Sequence, residues 1–441
     1  MILHVKCLKK NRQITIKDME FSFYSYLSHL FGVQLFTYIS FRAITAGVMA
    51  LCISIWFGKF FIAWMKRHQI YEIARNEKID PFGKDKKDVP TMGGLVVIMA
   101  VLLPCLFMGD ILNVYMILLI ITTLMMGSLG FVDDYIKTFH KNKNGLNGWV
   151  KIAVQITLGL IVALTLRLSP AVTMNEVVER HIENSSIVVE KSPEIKSTKT
   201  TIPFVKHHNF NYADLFKWLG DENMYRAGWI FFMILTTMVV AAVSNGANLN
   251  DGMDGMCAGN SAIISVALLV LAYMSGSIVW AEYFDVMYIP GSEEVVVFLA
   301  AFIGALVGFL WWNGYPAQIF LGDTGSLTIG GIIGVSAMII HKELVLPLLC
   351  GVFLIESLSV IIQTRVYKFY KKRGRHLRIW RSTPIHDHFR KSVAKMREND
   401  PTCDFIFKND SHLLFETKIS LRFWIVTLIL AALTILTLKI R

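Results

Sequence analysis

The chain has 441 residues, of which 54% are hydrophobic and 17% charged, and its mean hydropathy is +0.50. This composition excludes a soluble globular domain, because many apolar runs reach the roughly 20 residues that a helix needs to cross a bilayer. The formal net charge of +11 is concentrated in loops beside those runs, so it indicates membrane topology and contact with the lipid bilayer, with no nucleic-acid partner.

An all-α polytopic membrane protein with about ten transmembrane helices is therefore predicted. The predicted spans are 42–64, 91–109, 111–131, 151–168, 227–244, 257–275, 295–312, 326–341, 343–363 and 422–439. They divide the chain into an N-terminal extension and interfacial segment (1–41), helices 1–4 (42–168), an extracytoplasmic insert (169–226), helices 5–9 (227–363), a cytoplasmic loop (364–421) and helix 10 (422–441).

The loops between these spans alternate in charge. Residues 65–90, 132–151 and 364–421 are basic, whereas residues 276–294 contain four acidic and no basic side chains. Because basic loops stay in the cytoplasm, the predicted cytoplasmic loops are 65–90, 132–150, 245–256, 313–325 and 364–421, with both termini outside. The basic residues 1–18 oppose this orientation, which favours Met19 as the natural start.

Acidic motifs follow three of the predicted spans on the predicted cytoplasmic side. Asp133 and Asp134 come first, with Lys137 one helical turn later. Adjacent carboxylates favour a cation between them, although a surface ion pair with Lys137 is the simpler interpretation. Asp323 lies between two glycines before an apolar helix, so it is either a helix cap or a metal ligand.

The glycine-rich segment 244–255 carries polar side chains at intervals of three residues, namely Asn245, Asn248, Asp251 and Asp254. Such a segment beside hydrocarbon is costly unless it binds a ligand, and its oxygens and amides suit Mg²⁺ and phosphate. A polar hairpin between two spans is the alternative.

Basic and imidazole side chains lie in two further loops on the same predicted face. Lys86 precedes Pro90-Thr91-Met-Gly-Gly94, which opens the second span. A lysine beside such a glycine-rich helix start suits a diphosphate, although ordinary inside-positive charge is the simpler interpretation. The last loop carries His386, Asp387 and His388, a cluster that suits metal or phosphate, with a solvated loop as the alternative. Carboxylates, Mg²⁺ and lysine together are typical of phosphoryl transfer, and an acceptor presented at the membrane is a lipid.

These motifs, in this order and spacing, resemble the polyprenyl-phosphate N-acetylhexosamine-1-phosphate transferases. They are the 90–94 motif, Asp133-Asp134-x-x-Lys137, residues 248–255, Phe320-Leu-Gly-Asp323-Thr-Gly-Ser326 and Pro384-x-His386-x-His388. Within this superfamily, the 90–94 and Pro-x-His motifs are most similar to the phospho-N-acetylmuramoyl-pentapeptide-transferases. The resemblance covers roughly residues 36–168 and 227–440.

The resemblance implies ten spanning helices in the bacterial inner membrane, a cytoplasmic active-site cleft and a homodimer. It implies transfer of phospho-MurNAc-pentapeptide from UDP-MurNAc-pentapeptide to undecaprenyl phosphate, giving lipid I and UMP, with Mg²⁺ as cofactor. The implied metal ligands are Asp323 and Asp251, and the implied catalytic residues are Asp133, Asp134, Asp251, Asp323 and His386. The implied substrate contacts are Lys86, Thr91, Lys137, Asn245, Asn248, Asp254, Asn313, Phe320 (stacking on uracil) and His388.

The last loop departs from the family pattern. The family usually has three consecutive histidines here, whereas Asp387 is the middle residue, and Arg390 stands where an acid or amide is usual. An aspartate facing an anionic substrate repels it unless a cation neutralises the carboxylate. Residues 170–226 are longer than expected, and residues 391–417 resemble an insertion.

Three alternatives compete with this interpretation. One is a relative that transfers GlcNAc-1-phosphate from UDP-GlcNAc. Another is a secondary transporter, although transporter carboxylates tend to lie near the membrane midplane, and here they follow the span ends. The last is an inactive lipid-binding relative, which only Asp387 suggests.

Overall fold

The computed structural model describes residues 23–31, 34–71, 89–140, 145–175, 178–183, 186–191, 194–203, 209–393, 402–407 and 413–438. Helices dominate this part of the chain. They are α1 (Phe23–Phe31), α2 (Ile39–Arg67), α3 (Gly94–Met108), α4 (Val114–Phe139), α5 (Gly148–Leu168), α6 (Asp221–Asn250), α7 (Met256–Gly276), α8 (Ile278–Phe284), α9 (Glu293–Asn313), α10 (Gly322–Ile339), α11 (Leu346–Leu349), α12 (Gly351–Lys371), α13 (Ile385–Arg390) and α14 (Glu416–Thr437). The predicted all-α class is confirmed.

Seven of the described helices are long and apolar enough to cross a membrane, namely α2, α4, α5, α6, α7, α9 and α14. An eighth span is formed if the segment Glu343–Leu349 and α12, which meet at 75°, are taken as one broken helix. All ten predicted spans fall on helices, but α3 has only 15 residues and α10 begins with polar residues. The chain is a multi-pass membrane protein, and the count of ten spans stays a prediction.

Helix α10 lies at the centre of the bundle. It packs against α4 on one side and α6 on another, while α9 packs against α2 and α7. From Thr324 to Ile339 every residue of α10 is buried, which is possible because its side chains are small or apolar and its glycines allow neighbouring helices to approach. This packing fixes the polar first turn of α10 against the last turns of α4.

Helix α6 extends beyond its predicted end at residue 244 and continues to Asn250. Gly246 therefore lies inside a helix, where glycine costs up to about 1 kcal/mol relative to alanine. A Cβ at Gly246 would lie 3.1 Å from the Cβ of Phe353, so glycine permits α12 to pack closely there. As a result, Asn245 and Asn248 lie on the last turns of α6.

Within the described residues, short strands form three two-stranded sheets. Strands β1 (Val178–Glu183) and β2 (Ser186–Lys191) are antiparallel, as are β3 (Lys199–Thr201) and β4 (Asn209–Asn211). Strand β5 (His376–Arg378) pairs in parallel with β6 (Cys403–Phe405) in the loop between α12 and α14.

The insert between α5 and α6 is anchored to the helix bundle by buried polar contacts. Lys342 Nζ donates to Thr201 Oγ1 at 2.5 Å, and the Tyr212 hydroxyl donates to Glu343 Oε1 at 2.7 Å. Both side chains of the 342–343 pair are almost fully buried. Since buried charges are stable only when they have partners, these contacts hold the insert on the bundle.

Candidate active site

Three carboxylates meet where the end of α4 faces the start of α10. One oxygen from each of Asp133, Asp134 and Asp323 lies within 4.8 Å of the others. Asp133 is fully buried, Asp134 is 4% exposed, and Asp323 keeps partial access to solvent. The sequence separates these acids by about 190 residues, and the packing of α10 on α4 brings them together.

Asp134 caps the first turn of α10. Its carboxylate accepts hydrogen bonds from Asp323 N at 3.0 Å, Thr324 N at 2.9 Å and Thr324 Oγ1 at 2.6 Å. The preceding residue, Gly322, has a φ of +72°, and a Cβ there would lie 2.5 Å from Asp134 Oδ2. The helix cap is therefore Asp134. Of the two roles predicted for Asp323, helix cap or metal ligand, this leaves the metal ligand.

Two lysines neutralise the other two carboxylates. Lys137 Nζ lies 3.0 Å from Asp323 Oδ2 and 2.6 Å from Asp133 Oδ2. Lys151 Nζ, in the first turn of α5, lies 2.6 Å from Asp323 Oδ2 and 3.0 Å from Asp133 Oδ1. On its other oxygen, Asp323 accepts from Asn248 Nδ2 at 2.9 Å. Lys137 is therefore more than the partner in a surface ion pair.

This donor set fits a hard divalent cation. Mg²⁺ prefers oxygen ligands and usually binds proteins through one or two carboxylates while keeping waters and substrate phosphates. Both Asp134 oxygens are committed to α10, so Asp323 and Asp133 are the carboxylates that would hold the ion. Their lysine partners are flexible ammonium groups that can move to the incoming phosphates.

The other polar residues at the end of α6 lie beside this centre. Asn248 Nδ2 also donates to Ser326 Oγ at 2.9 Å, and Asn245 Nδ2 donates to Gln155 Oε1 at 2.9 Å.

Asp251 follows the last residue of α6 and is not part of the three-carboxylate cluster. Asp254 is 5% exposed and accepts from Ala317 N at 3.0 Å, which ties the 251–255 turn to the next loop.

The 313–325 loop is fastened to the start of α3. Phe320 N donates to Pro90 O at 2.8 Å, and Phe320 O accepts from Gly93 N at 2.8 Å. Asn313 donates to Ile319 O at 2.9 Å and accepts from Gly255 N at 3.1 Å. Thr91 is buried near Gly322. The predicted motifs thus form one connected surface, whereas Lys86 lies outside the described residues.

His386 reaches this surface from the last loop. A Cβ at Gly252 would lie 2.0 Å from His386 Nε2, so the absence of a side chain in that turn makes room for the imidazole. On the other side of the ring, Nδ1 lies 3.1 Å from Oε2 of Glu356, which is fully buried on α12. The imidazole is therefore confined between the 251–255 turn on one side and the Glu356 carboxylate on the other. Glu356 was not among the predicted site residues, because its position inside an apolar run gives no local signal.

The two departures from the family pattern contact each other. Asp387 forms ion pairs with Arg390, at 2.7 Å, and with Lys391. Burial alone would raise the pKa of the Asp387 carboxyl, but the positive charges of Arg390 and Lys391 outweigh burial and hold this pKa below its usual value. Arg390 also binds Glu416 at the start of α14, at 2.5 Å. The negative charge at 387 is therefore neutralised within the loop.

The environment of His388 predicts that the stability of the folded protein depends on pH. Its Nδ1 accepts from Arg381 N at 3.2 Å, so the neutral ring carries its proton on Nε2. Burial, and then the positive charge of Arg381, lower the pKa of His388 from 6.5 to about 4. The unfolded chain therefore binds a proton first, and stability is lost as the pH falls from 6.5 towards about 4.

The expected result is a steeper fall of the melting temperature between about pH 7 and pH 4.5 in the unmodified protein than in His388→Asn. The asparagine oxygen can accept the Arg381 bond without titrating in this range. Thermal unfolding in detergent at a series of pH values measures the difference, and parallel curves would contradict the assigned protonation state.

Known proteins are similar to this chain over most of its length. The model of glycosyl transferase family 4 matches residues 116–341. A protein of Phocaeicola vulgatus is 56% identical over 411 residues, covering 93% of this chain and 96% of its own length. One from Bacteroides fragilis has the same identity and coverage, and one from Parabacteroides distasonis is 47% identical over 427 residues, covering 96% of this chain and 100% of its own. All three are named phospho-N-acetylmuramoyl-pentapeptide-transferase.

Proposed function

The chain belongs to the phospho-N-acetylmuramoyl-pentapeptide-transferases of glycosyl transferase family 4, and we propose that the carboxylate cluster between α4 and α10 is its reaction centre. The enzyme transfers phospho-MurNAc-pentapeptide from UDP-MurNAc-pentapeptide to undecaprenyl phosphate, giving lipid I and UMP. The observation that supports this placement is Asp323, which is partly open to solvent and shared by Lys137, Lys151 and Asn248.

We assign the acceptor side of the site to the two lysines. Undecaprenyl phosphate is already anionic near neutral pH, so the enzyme must position it more than activate it. The ammonium groups of Lys137 and Lys151 now pair with carboxylates, and they can exchange these partners for phosphate oxygens when the acceptor binds. Asp133 holds both lysines from a buried position, and Leu146 N donates to it at 2.7 Å.

We assign the metal site to Asp323 and Asp133, with Mg²⁺ as the ion. When bound, Mg²⁺ would neutralise the diphosphate of the donor and stabilise UMP as it leaves. Asn248 orients the Asp323 carboxylate, and Asp134 holds the α10 backbone from which that carboxylate projects. Asp251 lies outside the three-carboxylate cluster, so its role as a metal ligand stays a prediction.

The donor is proposed to bind across the turn after α6 and the loop before α10. Asn245, Asp251 and Asp254 would face the nucleotide and diphosphate, and Phe320 would stack on uracil with Asn313 beside it. Thr91, Lys86 and His388 stay predicted contacts. His386 is proposed to contact the phosphate or sugar, because its Nε2 edge faces Gly252 in that turn while Glu356 lies against the other nitrogen.

The site lies at helix ends: Asp133 and Asp134 in the last turns of α4, and Asp323 in the first turn of α10. Transporter carboxylates tend to lie at the midplane, so this position favours an enzyme that meets a lipid headgroup. We propose that the helices span the bacterial inner membrane with this end facing the cytoplasm, and that the enzyme works as a homodimer.

Donor choice tests the proposed function. Purified protein with undecaprenyl phosphate and Mg²⁺ is expected to release UMP from UDP-MurNAc-pentapeptide and not from UDP-GlcNAc. Release from the first donor also shows that Asp387 is compatible with activity, since Arg390 and Lys391 neutralise it. Turnover of UDP-GlcNAc alone would assign the chain to the GlcNAc-1-phosphate branch, and no turnover by folded protein would contradict both.

A further inference from the structure

A groove of about 410 Å³ opens between the far end of α12 and the segment 378–383, which begins at the last residue of β5. One wall is the helix, with Gln363, Tyr367, Lys368 and Lys371, and the opposite wall includes Arg378 and Ser382. Because this groove lies at the end of α12 that leaves the apolar bundle, a soluble ligand can enter it.

The walls of the groove are fixed to each other. Gln363 Oε1 accepts from Ile379 N at 3.0 Å and Trp380 N at 3.1 Å, and Gln363 Nε2 donates to Trp380 O at 2.9 Å. The Tyr367 ring contacts a cation from each wall, with Arg378 Cζ 5.3 Å and Lys371 Nζ 5.9 Å from its centroid. These hydrogen bonds and ring contacts therefore hold the two walls of the groove at a fixed separation.

The charge of the groove is unbalanced. Among the described residues, Lys368, Lys371 and Arg378 line it, and no aspartate or glutamate does. Within the part of the chain that the structure describes, none of these three side chains forms an ion pair. Cations gathered around one concave surface raise the local concentration of anions, and lysine and arginine recognise carboxylates through charge-assisted hydrogen bonds.

The groove and the proposed donor site lie along the same face of α12. Glu356, which contacts His386, lies on the same face of α12 as Gln363 and Tyr367, seven and eleven residues further on. At about 1.5 Å per residue, these positions lie roughly 10 and 16 Å along the helix from Glu356. On the opposite wall, Ser382 Oγ lies 3.5 Å from Asp387 Oδ2, beside His386.

We propose that this groove binds the C-terminal carboxylate of the donor's pentapeptide, with Lys371 and Arg378 as its partners. The proposal rests on the proposed function, which places the sugar near His386. A pentapeptide joined to the sugar by its N-terminus ends in a free carboxylate whatever its sequence. Five extended residues reach about 17 Å, which matches the distance from Glu356 to Tyr367. The groove is thus a specificity element for a complete peptide.

The test compares UDP-MurNAc-pentapeptide with the same donor carrying a C-terminal amide. In the unmodified protein the amide is expected to raise KM about tenfold, the lower range for a partly exposed charged hydrogen bond, with kcat unchanged. Lys371→Gln combined with Arg378→Gln is expected to raise KM for the free-acid donor to the amide value and to abolish the difference between the donors. Lys371→Gln alone, at the exposed end of the helix, is expected to give an intermediate KM.

Lys372→Gln is the matched control. Lys372 is exposed, neighbours Lys371 and does not line the groove, so this variant loses the same charge and is expected to behave as the unmodified protein. Equal KM values for the two donors in the unmodified protein would overturn the proposal. So would a double variant that still discriminates between them, or a control with the same effect. In each case continued UMP release would leave the proposed function standing, whereas no release from either donor would contradict that function instead.

Discussion

Asp323→Asn is expected to lower UMP release by at least about 10²–10³-fold, the cost of removing one preorganised electrostatic contact, while the protein still folds. The substitution keeps the shape of the side chain and an oxygen that can accept from Asn248. It removes the charge shared by Lys137 and Lys151, which keep Asp133 as a partner. Turnover should therefore fall much more than stability.

The measurement is initial rate and melting temperature in the same detergent. Asp214→Asn is the matched control, because it makes the same chemical change at an exposed position where, among the described residues, the Asp214 carboxylate pairs with Lys217. A near-normal rate for Asp323→Asn would remove Asp323 from the reaction centre. A melting temperature lowered as much as the rate would assign it a structural role.

Asp134→Ala is expected to lower both activity and stability. It leaves the amides of Asp323 and Thr324 and the Thr324 hydroxyl without their acceptor in a buried place. Loss of a helix cap or an unsatisfied buried donor each costs about 1–3 kcal/mol. Because the first turn of α10 carries Asp323, its displacement is expected to reduce UMP release by more than about tenfold.

Asp134→Asn separates these effects, since its oxygen can still accept from one or two of the three donors. Its melting temperature is expected to fall between those of Asp134→Ala and the unmodified protein. Loss of turnover in Asp134→Ala without any change in melting temperature would show that Asp134 acts on the substrates and not through α10.

Much of the site follows from local sequence. The apolar runs predict the helices because their length is set by the membrane, and acids directly after a run must lie at a helix end. That reasoning places Asp133 and Asp323 at one face of the bundle, where the structure brings them together. Asn248 follows from the polar spacing before the 251–255 turn and binds Asp323 directly.

Contacts between distant segments do not follow from local sequence. Lys151 has the pattern of an ordinary basic residue at a span end, and only the packing of α5 places it on Asp323. Glu356 lies inside an apolar helix, so only the fold of the last loop shows that it meets His386. An aspartate at 387 was expected to repel an anionic substrate unless a cation neutralised it, but the sequence did not show that its partner is Arg390, the other unusual residue.

Metal binding is the most direct test of whether Asp323 and Asp133 hold the ion, because it probes this site without requiring turnover. Electron paramagnetic resonance of Mn²⁺ titrated into the detergent-purified protein is expected to show about one site per chain that Mg²⁺ displaces. Asp323→Asn should abolish this site, and Asp214→Asn should keep it. Unchanged Mn²⁺ affinity and stoichiometry in Asp323→Asn would contradict the assignment of the metal to the start of α10.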